Sequence, residues 1–294
     1  PDSAALAMAE CAAYGNGGGF LIRPDYATFG PVLRQYRAFF EQQAGLYEGN
    51  WGYAQVLLGC FPYQKMYGNP SHITRLRSLT DALGECHLLF DYDTRWSFHF
   101  PEMQKYRLVI LPDVKFMDDA DQLLQYIRAG GKALIVGENA TFGEELLRPQ
   151  QSPLVGLTQD GQVHTLGAGQ YVSCPLAPNG KQLWTILGQL GLQDLALLPR
   201  EDNQHVRFNG MAKLDGKTLY FHVLNYDVPL GTTARLAHPR ERLKLRLPLP
   251  AGAQVKSAVV HDPDRTETQT VAVGADGTVT LPPLRVYEVV EVRL

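Results

Sequence analysis

The chain has 294 residues, with 27 basic and 30 acidic side chains for a formal charge of −3, and 45% of its residues are hydrophobic and 10% aromatic. That composition excludes a disordered chain, and the interspersed charges leave no basic face for nucleic acid. Apolar runs such as 54–60 and 133–136 fall well short of the roughly 20 residues that a membrane-spanning helix needs.

The length suits two domains. Cys11, Cys60, Cys86 and Cys174 are widely spaced, with no CxxC and no histidine at metal-ligand spacing. They read as buried free thiols, so neither a metal nor a cofactor is expected. Unpaired thiols and the lack of a basic-then-apolar leader favour a reducing compartment, the cytoplasm.

In chain order, 3–14 is an alanine-rich helix that stops at Gly15-Asn16-Gly17-Gly18-Gly19. A second helix from Asp25 carries Tyr26, Phe29, Val32, Leu33, Tyr36, Phe39 and Phe40 on one wide apolar stripe. The period then changes. Runs at 54–60, 87–92, 107–113, 132–138 and 170–175 read as buried parallel strands, alternating with helices near 71–83, 118–129 and 181–190. Such alternation specifies a doubly wound sheet. Asp118, Asp119 and Asp121 fall at the start of the 118–129 helix, where carboxylates suit the helix dipole, and Gly130-Gly131 ends it through a left-handed residue. Beyond about residue 200 come seven short strands, 206–208, 218–225, 243–247, 254–261, 268–273, 278–281 and 286–293, separated by turns such as Asp215-Gly216 and Asp276-Gly277. They predict an antiparallel sandwich.

The stretch from Tyr106 to Pro112, a helix, then Ile127 to Gly137 resembles the β-galactosidase trimerisation domain of family 42 glycoside hydrolases, a domain with the class I glutamine amidotransferase-like fold. Gly167-Ala168-Gly169-Gln170-Tyr171-Val172 fits its last core strand, and His222-Val223-Leu224-Asn225-Tyr226-Asp227 a strand of the C-terminal β domain that follows. The resemblance implies three parts. Residues 1–50 are the helical end of a (β/α)₈ barrel, 51–200 a flavodoxin-like α/β domain, and 201–294 a C-terminal β-sandwich. It also implies a homo-oligomer, a trimer, working with a catalytic barrel and a carbohydrate substrate.

Glycoside hydrolysis needs two carboxylates about 5 to 10 Å apart, and in that family both lie on the barrel. A barrel takes about 250 residues, whereas the first strand of the α/β sheet begins near Ala54, so no catalytic residue is expected in this chain. Amidotransferase chemistry would need a cysteine on the turn after 132–137, but that turn reads Glu138-Asn139-Ala140. The expected role is therefore accessory and architectural, with apolar side chains buried between subunits and the 26–47 stripe left exposed when the barrel is absent.

The alternative is a small-molecule or sugar-binding domain that uses the crevice at the strand C-termini. Those ends carry Phe61, Tyr63, Asp91, Asp113, Glu138 and Asn139, of which Tyr63, Asp113, Glu138 and Asn139 are the candidate ligand-binding set. Cys60 lies at the same end. His99, among Trp96, Phe98 and Phe100, reads as a subunit contact or a sugar-stacking surface. A carbohydrate-binding module in the last hundred residues would need exposed aromatics, and Phe208, Tyr220, Phe221, Tyr226 and Tyr287 mostly fall on buried strand positions.

Overall fold

A computed structural model describes residues 2–15, 26–94, 100–143, 147–201, 203–229, 236–250, 252–265 and 267–294, with the side chains of 26–28 and 100 left aside. The aromatic segment around His99 and most of the glycine run at 15–19 therefore lie outside the described residues. The chain divides into two compact units, one made of Pro1–Tyr53 and Ala196–Leu294, the other of Ala54–Leu195. The first 50 residues thus pack with the C-terminal β region.

In the discontinuous unit, helix α1 (Asp2–Ala13) repeats alanine at i, i+4 spacing, and Ala5, Ala9 and Ala13 form one buried face. Helix α2 (Tyr26–Gln42) buries Val32 and Tyr36 and half-buries Phe39 and Phe40, and a following 3-10 turn (Ala44–Leu46) adds Leu46 and Tyr47. All of these pack on Tyr220, Leu224, Val286, Tyr287 and Val289. The stripe expected to lie exposed without the barrel is covered by its own unit, because the apolar side chains it needs come from the far end of the sequence. Strand β1 (Asn50–Gly52) then closes this first segment.

The continuous unit runs β2 (Val56–Gly59), α3 (Tyr63–Met66), α4 (Ser71–Glu85), β3 (Phe90–Asp93), α5 (Phe100–Met103), β4 (Leu108–Pro112), α6 (Asp121–Arg128), β5 (Lys132–Val136), β6 (Val163–Leu166), β7 (Gly169–Cys174) and α7 (Gly180–Gln189). The sheet order is β3-β2-β4-β5-β7-β6. Its five parallel strands follow the flavodoxin order, with the switch point between β2 and β4. Every residue of β2 and β4 is buried, as expected of strands covered on both faces.

Two local readings need correction. Strand β6, not foreseen, pairs antiparallel with β7 around Gly167-Ala168. Its residues are short of full burial and mixed in polarity, so no apolar run announced it. Helix α6 starts at Asp121 behind an Ala120 N-cap, so Asp118 and Asp119 precede it. Its end is as expected: Gly130 sits at φ +109°, and Gly131 donates to the Tyr126 carbonyl at 3.0 Å. Gly169 lies so close to that end that a Cβ there would be 2.0 Å from the Ile127 carbonyl oxygen.

After Ala196 the first unit resumes with β8 (Val206–Lys213), β9 (Thr218–Asn225), β10 (Lys244–Arg246), β11 (Ser257–His261), β12 (Gln269–Thr270), β13 (Thr278–Thr280) and β14 (Tyr287–Arg293). The main antiparallel sheet is β1-β8-β9-β14-β11-β12, and β10-β13 form a second pair. Alternation sends Tyr220, Leu224, Tyr287 and Val289 towards the helices, while Phe221, Val223, Val290 and Val292 face the other way and are equally buried. Phe208 is buried too, leaving no row of open aromatics. None of the four cysteines is in a disulfide, and only Cys86 is fully buried. Among the described residues, no helix is long and apolar enough to cross a membrane, and no group of three or more His, Cys, Asp or Glu could hold a metal ion.

Candidate functional site

The flavodoxin order directs attention to the C-terminal ends of β2, β4 and β5. Directly after β4, Asp113 adopts φ +53° and is buried. Its Oδ1 accepts the Glu138 N–H at 3.1 Å, while Oδ2 accepts the Ser71 hydroxyl and pairs with Arg75 Nε at 3.3 Å. Its own carbonyl takes Asn69 Nδ2 at 2.7 Å. The facing Gly137 has φ +75°, and a Cβ there would lie 2.7 Å from Asp113 Oδ1. The glycine is what lets the carboxylate approach the β5 turn.

Asn139 is also buried. Its Oδ1 accepts the Val114 N–H at 2.7 Å, and its Nδ2 donates to the Val136 and Gly137 carbonyls, each at 3.1 Å. Tyr63 donates its hydroxyl to the Phe116 carbonyl at 3.2 Å, beside Gln64, which exchanges two hydrogen bonds with the Phe116 backbone. Glu138 differs from these three. Its side chain is 71% exposed and pairs with Lys115 Nζ at 3.2 Å. The four candidates thus gather at the ends of β4 and β5, but three of them spend their polar atoms on the protein's own backbone and side chains.

Sequence reasoning missed His72, the most constrained side chain here. The Phe61 N–H donates to its Nε2 at 3.0 Å, so Nδ1 carries the proton and donates to the Pro112 carbonyl at 2.7 Å. Burial pushes its pKa below the usual histidine value, which suits this neutral tautomer. The available signal was Asn69-Pro70-Ser71-His72, a polar turn that runs into the first residues of α4. Cys60, half-buried at the end of β2, has its thiol pKa raised by burial, which disfavours a nucleophilic thiolate. At the turn after β5, Ala140 is buried at φ +54°, and the turn Glu138-Asn139-Ala140 contains no cysteine. Asp91 accepts the Tyr106 hydroxyl at 2.8 Å. A cleft of about 420 Å³ opens at the opposite strand ends, but its cations are engaged: Arg107 with Asp194 at 2.7 Å, and Lys132 Nζ with the Leu190 carbonyl.

Among the described residues, the arrangement is a stitched set of loops from which the Glu138 carboxylate points outward. The same architecture occurs in solved proteins. The α-L-fucosidase isoenzyme 2 from Paenibacillus thiaminolyticus superposes with a TM-score of 0.61 at 18% identity, over 99% of this chain and 57% of the fucosidase. The fold is shared with glycoside hydrolases. A β-galactosidase from Bacillus circulans sp. alkalophilus matches 90% of this chain and 45% of its own, with a TM-score of 0.57 and 14% identity. Gan42B, a GH42 β-galactosidase from G. stearothermophilus, matches 92% and 45% with the same score and identity. The chain therefore spans about half the length of the glycoside hydrolase structures it resembles. The sequence matches no protein-family model and no curated protein.

Proposed function

We propose that this chain is the accessory, architectural part of a β-galactosidase-like glycoside hydrolase, acting beside a catalytic (β/α)₈ barrel on a carbohydrate substrate and building a homo-oligomer, a trimer by resemblance. The observation that carries this reading is coverage: nearly all of this chain, both units together, aligns with about half of each hydrolase. Supporting it, the strand-end residues are committed to internal hydrogen bonds. Enzyme sites usually leave polar groups converging on an open pocket, whereas here Asp113, Asn139 and Tyr63 fasten loops.

Two measurements test the proposal. The purified 294-residue chain, assayed on nitrophenyl galactosides and fucosides, is expected to release no nitrophenol, and turnover by this chain would overturn the accessory role. Sedimentation equilibrium is expected to give a trimer, and a concentration-independent monomer would remove the oligomer-building part. Any contact surface must lie away from the α2 stripe. Exposed candidates are Trp51, Met66, Leu176 and Leu214.

A ligand-binding role for the crevice rests on Glu138 alone among the four candidates, because only its carboxylate reaches solvent. A sugar or nucleotide that raises the melting temperature of the chain, with the shift lost in Glu138→Gln, would favour that reading.

A further inference from the structure

Where β11 runs into the loop 262–265, two arginines are shared among four carboxylates. Arg285 pairs with Asp2 at 2.6 Å and with Asp264 at 3.2 Å, and Arg265 pairs with Asp262 at 3.0 Å. Glu288 receives the weakest share. Its side chain on β14 has no exposure, both carboxylate oxygens lack a hydrogen bond, and its ion pair with Arg265 Nη2 is a long one of 3.7 Å. The loop is also tied to the helices. Gln35 on α2 donates to the Pro263 carbonyl at 2.7 Å and to Asp264 at 3.3 Å, and Arg285 joins Asp264 to Asp2 on α1.

We infer that this cluster is a proton-operated clasp: a protonated Glu288 lets loop 262–265 close over β14, and the closed loop holds α1 and α2 in place. A carboxylate sealed from water with no donor is costly, whereas the neutral acid is not. Opposite Glu288 on β9 stands Val223, which brings no charge. The groups around the cluster are Asp262, Asp264 and Arg265 from β11 and its loop, Arg285 before β14, Asp2 from α1, and the buried Tyr36 hydroxyl from α2, which lies against Asp264. Three acids there have raised pKa values. Glu288 is pushed up to about 8 by burial and then by Asp262. Burial lifts Asp262 to about 6 and also raises Asp264, against the pull of Arg285.

The direction follows from these shifts. With the loop open and Glu288 in water, its pKa returns towards 4.5. The closed form therefore holds its full advantage below about pH 4.5, loses it steadily up to about pH 8, and loses no more beyond. Hydrogen exchange of α2 and of residues 262–265 in the full chain, corrected for intrinsic rates, reads this opening. It is expected to rise about tenfold per pH unit between pH 5 and 8 and to stay flat in Glu288→Gln. Equal slopes in both proteins, or no rise in the wild-type chain, would overturn the clasp. Should the variant fail to fold, infrared spectra of the wild-type chain decide. A buried carboxylic acid C=O band at pH 7 that disappears by pH 9 supports the clasp, and its absence at pH 7 refutes it.

Discussion

Tyr287 and Glu288 are consecutive on β14, so they point to opposite faces, and neither carries a short ion pair. On the helix side, His222 hydrogen-bonds the Tyr287 hydroxyl through Nδ1 at 2.7 Å and stacks on that ring, with no partner for Nε2. Burial depresses its pKa from 6.5 to about 3. As pH falls, the unfolded chain therefore takes up this proton first, and stability that is intact above pH 6.5 drains away towards pH 3, by on the order of 5 kcal/mol in all. His222→Phe is expected to flatten that acid slope, seen as a smaller drop in urea midpoint between pH 7 and pH 4 than in the wild-type chain. Asp113 gives a second test. Asp113→Ala strands the Glu138 N–H and Arg75 and gives up a side chain that tolerates positive φ, for an expected loss of about 3 kcal/mol. Asp113→Asn keeps the hydrogen-bonding shape and should lose about 1 kcal/mol, both read from urea unfolding.

At the scale of the elements, the closest approach lies between the end of α6 and the start of β7. Gly169→Ala would force a methyl into the Ile127 carbonyl, and main chain cannot swing aside as a side chain can. A loss of about 3 kcal/mol or more is expected, measured by denaturant midpoint, while Glu138→Gln on the exposed turn should stay within about 0.5 kcal/mol. The elements legible in the sequence were those with a strong period. The buried runs of β2, β4 and β5 and the helix that ends at Gly130 carry their environment in their composition. What stayed hidden had no period to show. Strand β6 is short, polar and half exposed, and β1 is three residues, Asn50–Gly52, that become a strand only because β8 pairs with them. In the candidate site, the strand-end residues Asp113 and Asn139 could be located from the pattern. Their employment could not, because it depends on Ser71, Arg75 and Gly137 arriving from elsewhere.

For the whole molecule, the fold class was readable from the order of parts, and the fold it implied is shared with the hydrolases. The covering of the α2 stripe was not readable, since its partners Tyr220 and Val289 lie far along the chain. It follows that residues 54–195, expressed alone, should give a soluble, cooperatively melting domain by circular dichroism, whereas 196–294 without 1–53 loses strand β1 and the helices over Tyr287 and should aggregate in light scattering. The strand pairing Asn50 with Lys213 also sets a timetable for synthesis. A ribosome finishes the α1–α2 segment first, then makes the entire α/β unit, and only afterwards the strands that shelter Tyr36 and Val32 from water. Throughout that interval Val32 and Tyr36 lack the strands that cover them in the finished unit.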